Sequence, residues 1–121
     1  MRKLLVCIAS VVLLASCDST NPGGPGTLTA VVTSPNGAEG AAILDVEGIV
    51  ESLSANGDVS LYLTPSGQAT RAVLVRLTPG ELSMKVSVPD VSHTPQIIVV
   101  EVADGDNVLR PSIAGYHVEF R

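Results

Sequence analysis

The chain has 121 residues, of which 45% are hydrophobic and 16% charged, so it is long enough for one small domain and too short for a multidomain enzyme. Its hydrophobic content excludes intrinsic disorder as the state of the whole chain. Twelve acidic residues against seven basic ones give a formal net charge of −5, which argues against nucleic acid as a partner because cationic surfaces bind phosphate backbones.

Residues 1–16 have the pattern of a secretory signal peptide. Arg2 and Lys3 precede an apolar run from Leu4 to Leu14, and small residues follow it. As a helix this run would span about 16 Å, whereas the hydrocarbon core of a membrane is about 30 Å thick. We therefore expect the segment to be cleaved rather than kept as a membrane-spanning anchor.

The sequence Leu14-Ala15-Ser16-Cys17 ends the apolar run and resembles the lipobox of bacterial lipoproteins. In that family the cysteine is acylated, with palmitate among the acyl chains, and becomes the new N-terminus. The resemblance implies a covalent lipid on Cys17 and firm membrane attachment, since two or three acyl chains hold a protein stably. It also implies a bacterial cell-envelope location, anchored to a membrane on the exported side.

Residues 17–26 are predicted to be the lipidated cysteine and a flexible tether. The sequence DSTNPGGPG, which follows Cys17, consists of turn-forming residues with no large apolar side chain to bury. A spacer of this length reaches roughly 15–18 Å. We therefore expect residues 27–121 to form the folded domain, close to the bilayer.

Residues 27–121 are predicted to form an all-β domain. Apolar residues recur at period two, and turn-forming residues interrupt the pattern about every ten residues. The clearest case is the segment 81–88, where every second residue from Leu82 to Val88 is apolar. The apolar segment 96–103 is expected in the middle of a sheet or under a loop. The predicted strands cover residues 27–33, 41–47, 49–53, 58–64, 70–77, 81–88, 96–103 and 114–121.

Seven or eight short strands without crossover helices favour an antiparallel β-sandwich of the immunoglobulin-like or jelly-roll kind, with a closed barrel as the alternative. Residues 27–48 and 99–120 resemble a group of short bacterial lipoproteins of uncharacterised function, which implies a small β-sandwich. The GAEGAA segment at residues 37–42 and the ADGDN turn at residues 103–107 also resemble parts of cohesin-like carbohydrate-scaffold domains. That second resemblance implies architecture and no binding residues.

Asp104, Asp106 and Asn107 are weak candidates for a metal site. Oxygen ligands at alternating positions suit Ca²⁺, and Glu39 or Asp45 could complete the coordination. The spacing departs from that of a calcium loop because apolar residues follow Asn107 where further ligands belong. A β-turn in which an aspartate caps its own backbone is the favoured interpretation.

Carboxylates in the first half of the domain could supply the acid–base pair of a glycosidase. Solvated strand faces and loops are the favoured interpretation, because Tyr62 is the only aromatic residue predicted to be exposed for stacking on a sugar. The carboxylates in question are Glu39, Asp45, Glu47, Glu51 and Asp58.

The two histidines are interpreted as surface residues, and the arginines as partners of acidic side chains. His93 and His117 lack the neighbours of a zinc-binding His-Glu-x-x-His motif. Arg71, Arg76 and Arg110 could bind an anion, but pairing with the acidic excess is the favoured interpretation.

Together these features favour a non-catalytic binding or structural module, presented to an envelope protein or a glycan, with no catalytic residues and no cofactor besides the lipid on Cys17. The alternative is a small hydrolase or metal-dependent enzyme on the same scaffold, which would show a cleft lined by His93 or by two facing carboxylates. Self-association is a third hypothesis, through an apolar patch that includes Ile97 and Val99.

Overall fold

The computed structural model describes residues 23–121, so the predicted signal peptide, Cys17 and most of the predicted tether lie outside the described residues. Residues 23–121 contain no helix that could cross a membrane. Eight strands make up the fold: β1 (Gly26–Thr33), β2 (Glu39–Glu47), β3 (Ser52–Ala55), β4 (Ser60–Ser66), β5 (Ala69–Gly80), β6 (Ser83–Val88), β7 (Gln96–Ala103) and β8 (His117–Phe120).

The strands form two four-stranded antiparallel sheets that pack against each other. Sheet A has the order β3-β6-β1-β8, and sheet B has the order β4-β5-β2-β7. Only the β4–β5 connection joins neighbours within one sheet, whereas every other connection crosses from one sheet to the other. The prediction of an all-β antiparallel sandwich is therefore confirmed, with eight strands.

The core between the sheets is aliphatic. Leu82 and the inward residues of β6, which are Met84, Val86 and Val88, are at most 1% exposed. They face a layer from sheet B that includes Leu44 of β2 and Leu74 of β5, both fully buried. The alternation predicted for residues 81–88 is confirmed, and burial of this surface provides the main stabilisation of the fold.

Several predicted boundaries are shifted. β3 covers Ser52–Ala55 instead of residues 49–53, and β5 continues to Gly80 instead of ending at residue 77. β8 begins at His117 instead of residue 114, and Tyr116, just before the strand, is buried. A shift of this kind arises at strand ends, where local sequence pattern competes with the hydrogen bonds offered by neighbouring strands.

β7 was expected in the middle of a sheet or under a loop, and the first of these alternatives is wrong, because β7 lies at an edge of sheet B. A following segment covers part of that edge: Ala103 pairs with Leu109, and the Arg110 amide donates to the Val102 carbonyl at 2.8 Å. Because the segment at residues 109–110 lies along β7, this edge strand can carry apolar residues on both of its faces. Val99 is buried in the core and Ile97 packs against it, so neither forms the exposed patch proposed for self-association.

Candidate functional site

A buried carboxylate stands at the start of β2. Glu39 is 1% exposed, and each of its carboxylate oxygens accepts two hydrogen bonds. Oε1 accepts from Arg110 Nε at 3.1 Å and from Arg110 Nη2 at 2.8 Å. Oε2 accepts from Ser34 Oγ at 2.7 Å and from the Tyr116 hydroxyl. The interpretation of Glu39 as a solvated residue is wrong, because these partners compensate the cost of its burial.

A second layer of hydrogen bonds extends this arrangement. Asn36 Nδ2 donates to the Tyr116 hydroxyl at 2.8 Å, and the Asn36 amide donates to Ser34 Oγ at 3.0 Å. We call Ser34, Asn36, Glu39, Arg110 and Tyr116 the Glu39 cluster. It joins the β1–β2 turn, the start of β2 and the segment that precedes β8. With every carboxylate lone pair in use, the cluster is suited to holding these segments together.

The hydrogen bonds keep Glu39 ionised. Burial by itself raises the pKa of Glu39, but hydrogen bonds from Tyr116, Ser34 and Arg110, together with the charge of Arg110, outweigh burial and lower the pKa below its usual value of 4.5. The expected pairing of arginines with acidic residues is present here and at Arg71, whose Nε lies 2.8 Å from Asp45 Oδ1.

We expect the free energy of unfolding to decrease as the pH falls below about 4.5. The folded pKa of Glu39 is depressed, so its contribution is complete above the unfolded pKa of 4.5 and is lost as the pH falls through the folded pKa. Urea unfolding between neutral pH and about pH 3 measures this decrease. The decrease should be smaller in a Glu39→Gln variant, and an identical pH dependence in both proteins would contradict the assignment.

An open cleft of about 440 Å³ lies beside Glu39. Its lining includes two further carboxylates, Glu81 and Glu119. Glu81 pairs with Arg121 at 3.2 Å, and Glu119 pairs with His117 at 2.9 Å. The cleft thus brings three acidic residues to one end of the sandwich, each of them already bound to a neighbouring side chain.

Asp104 is hydrogen-bonded within the turn at residues 104–107 and to the residue that follows it. Asp104 Oδ1 accepts hydrogen bonds from the amides of Asp106 at 2.8 Å and Val108 at 3.1 Å, and Asn107 adopts a φ of 65°. The Val108 and Asp106 amides lower the pKa of Asp104. A Cβ at Gly40 would lie 2.5 Å from the Asp104 carbonyl oxygen, so β2 needs glycine where it passes this turn.

Two residues considered as additional calcium ligands are engaged elsewhere. Glu39 binds Arg110, and Asp45 binds Arg71. Among residues 23–121, no three His, Cys, Asp or Glu side chains come together in an arrangement that could hold a metal ion.

Asp90, Ser92 and His93 form an exposed hydrogen-bonded turn. Asp90 Oδ1 accepts from Ser92 Oγ at 2.6 Å and from the Ser92 amide at 2.9 Å, while Oδ2 lies 3.0 Å from His93 Nδ1. These bonds, with one from the Gly24 amide, hold the pKa of Asp90 well below its usual value. Ser92 Oγ also lies 3.1 Å from His93 Nδ1. Because the Ser92 and Gly24 amides both donate to Asp90 Oδ1, the aspartate caps the backbone of this turn.

The outward side of sheet B carries aliphatic side chains where a solvated sheet carries polar ones. We call this surface the B face. Cross-strand pairing aligns Tyr62, Val73 and Ile43 in one row, and Val75, Ala41 and Ala103 in the next. Tyr62 is 62% exposed, which confirms the prediction that its side chain is exposed to solvent.

The B face was not predicted from the sequence, because the strands were identified by the alternation of apolar and polar residues. The signal was available in two uninterrupted apolar runs, AAIL at residues 41–44 and AVLV at residues 72–75. A strand with apolar residues on both faces is typical of a sheet covered on both sides.

No protein-family model, curated protein or solved structure matches this chain. The resemblances to uncharacterised lipoproteins and to cohesin-like domains therefore have no support from a family match, and the structure establishes a two-sheet β-sandwich.

Proposed function

We propose that this chain is a membrane-anchored lipoprotein of the bacterial cell envelope. Its β-sandwich acts as a non-catalytic binding or structural module toward an envelope protein or a glycan. The observation that carries the proposal is the sequence Leu14-Ala15-Ser16-Cys17 at the end of an apolar segment preceded by two basic residues. A thiol at that position receives the lipid, and the apolar segment directs export.

The start of the folded domain supports this arrangement. The Gly24 amide donates to Asp90 Oδ1 at 3.2 Å, and the Val91 amide donates to the Gly24 carbonyl at 2.8 Å, so the chain is joined to the sandwich from Gly24 onward. Residues 18–23 then serve as the spacer between lipid and domain. A spacer of this length reaches about 12–15 Å, which places the domain beside the membrane surface.

The engagement of the candidate reactive groups supports a binding role. Glu39 is enclosed by four donor atoms, Asp104 caps its own turn, and His93 belongs to an exposed cap on Asp90. A general acid or base needs access to a substrate proton. The B face, in contrast, carries half-buried aliphatic side chains beside the exposed Tyr62, and an apolar surface of this kind is typical of protein contact.

Metabolic labelling with a palmitate analogue tests the anchor. We expect the full-length chain, produced in a bacterial host, to carry the label and to enter the detergent phase on phase partition. A Cys17→Ser variant should lose the label because the acceptor sulfur is gone. A Cys7→Ser variant is the matched control and should keep it, since Cys7 lies within the apolar run. Undiminished labelling of Cys17→Ser would refute the proposal.

A further inference from the structure

β4 is the longest uncovered edge strand among residues 23–121. It lies at the end of sheet B and pairs with β5 alone. The other edges are short or partly covered: β3 and β8 have four residues each, and residues 109–110 lie along part of β7. β4 has seven residues, SLYLTPS, and none of them is charged. Because charged side chains keep natural edge strands from pairing with other chains, β4 lacks that protection.

The β4–β5 turn fixes which backbone groups of β4 face the open edge. Gly67, with a φ of 63°, begins a two-residue turn between Ser66 and Ala69, which are partners in the ladder. In such a hairpin the pair that flanks the turn exchanges both hydrogen bonds, and bonded pairs then alternate with non-bonded pairs along the strands. This alternation directs the N–H and C=O groups of Leu61 and Leu63 away from β5.

Pro65 agrees with this assignment. It is the next residue in the outward series, and a proline is tolerated in an edge strand where its missing N–H would face the open side. Within residues 23–121, no backbone hydrogen bond from another segment reaches this edge. The edge therefore offers the donors and acceptors of Leu61 and Leu63 to a further strand.

Two exposed apolar side chains lie along the same edge on opposite sides of sheet B. Tyr62 is 62% exposed on the outward side. Leu63 is 48% exposed on the inward side, where its ladder partner Ala72 is buried. A protein bound to the B face would cover Tyr62 and leave Leu63 in water. A strand added beside β4 covers both, because its own side chains alternate between the two sides.

We propose that β4 of one copy of this chain pairs antiparallel with β4 of a second copy, with Tyr62 facing Tyr62 and Leu61 facing Leu63. A two-fold contact requires a strand that is complementary to itself. In this register each Leu61–Leu63 pair exchanges both backbone hydrogen bonds, and the two tyrosines form an aromatic cross-strand pair. A register with Leu63 facing Leu63 would instead set Leu61 against Pro65, which has no N–H to donate.

The symmetry of this pairing is compatible with one membrane for both copies, a step that rests on the proposed function. The two-fold axis of an antiparallel strand pair is perpendicular to the sheet, so both copies keep sheet A on the same side. The chain enters the domain through β1, which belongs to sheet A. Both lipid anchors therefore reach a bilayer that faces sheet A.

Membrane attachment also compensates for the small size of the contact. One short strand pair buries less than the roughly 800 Å² per partner of a standard stable interface. Anchors that confine both copies to one membrane raise their effective concentration. We therefore expect the dimer in membranes and at high protein concentration.

Disulfide trapping of the full-length chain in membranes tests the contact. In the proposed register the two Cα atoms at position 62 lie about 4.5 Å apart, within reach of a disulfide. A Tyr62→Cys variant should therefore form a covalent dimer on mild oxidation. Thr64→Cys is the matched control, because Thr64 is exposed on the same side of β4. Its two copies are offset by roughly 13 Å along the strands, so it should give at most about a tenth of that dimer.

A second variant tests the backbone hydrogen bonds. Adding Leu63→Pro to Tyr62→Cys removes the N–H that faces the other copy and leaves the bonds between β4 and β5 in place. Trapping should fall about tenfold, the effect of a loss of 1.4 kcal/mol in the contact. Urea unfolding checks that the domain is still folded.

Four results would overturn the proposal: no Tyr62→Cys dimer, equal trapping of Tyr62→Cys and Thr64→Cys, trapping of Tyr62→Cys only to a different protein, or undiminished trapping in a folded Leu63→Pro variant. Palmitate labelling of the same samples tests the anchor separately, so a labelled chain without the dimer refutes the strand contact alone. If the chain carries no label, the same comparison of Tyr62→Cys with Thr64→Cys on the purified chain at high concentration decides the strand contact.

Discussion

Replacing Glu39 with glutamine should lower the free energy of unfolding by about 3 kcal/mol, the low end of the cost of breaking a buried ion pair. Glutamine has nearly the same volume but presents an NH₂ group where the Tyr116 hydroxyl or the Arg110 guanidinium now donates. One donor then faces another, and Arg110 loses the partner for its charge. The low end applies because the Arg110 side chain is 24% exposed and water can solvate it.

Urea unfolding at neutral pH measures this loss, provided that the slope of the unfolding free energy against urea concentration is the same in all variants. Glu47→Gln is the matched control, because Glu47 ends the same strand with its side chain exposed and should change stability by less than about 0.5 kcal/mol. Tyr116→Phe removes a single donor and should cost about 1–2 kcal/mol. Equal stability of Glu39→Gln and Glu47→Gln would show that the Glu39 cluster fixes how its segments are arranged without adding to the free energy of unfolding.

The strands were predictable because their signal is local. Alternation over residues 81–88 places Leu82 and Val88 on one face, and both are buried. The same rule indicated that Tyr62 points outward. Strand pairing was not predictable, because residues brought together by sheet formation lie far apart in the chain: β1 pairs with β8, and β2 pairs with β7. Only β4 and β5 pair through a short turn that sequence can identify.

The Glu39 cluster could not be predicted for the same reason. Arg110 and Tyr116 lie more than 70 residues from Glu39 along the chain, and the sequence around Glu39 reads as a turn rich in glycine and alanine. An isolated glutamate in such a segment is most often exposed. Its burial depends on donors that only the folded sandwich supplies.

Leu74→Ala should lower the free energy of unfolding by about 3–5 kcal/mol, as large-to-small substitutions in a well-packed core do. Leu74 is fully buried on β5, the strand that lies between β4 and β2 in sheet B, and it pairs with Leu61 and Ala42 across the ladders. Its removal leaves a cavity against the inward side chains of sheet A. A domain of this size has a total stability of about 5–15 kcal/mol, so the variant should unfold at a clearly lower urea concentration.

Leu77→Ala on the same strand is the control that makes this result informative. β5 has the sequence ATRAVLVRLTPG, in which apolar residues occupy both faces, so the sequence alone does not show which leucine points into the core. In the structure Leu74 faces inward and Leu77 is exposed, which predicts a change below about 0.5 kcal/mol for Leu77→Ala. Comparable losses for the two variants would mean that the orientation of β5 is wrong. A large loss for Leu74→Ala alone would establish that Leu74 fills the core between the two sheets, whereas Leu77, beyond the irregular part of the β2–β5 ladder, contributes nothing to it.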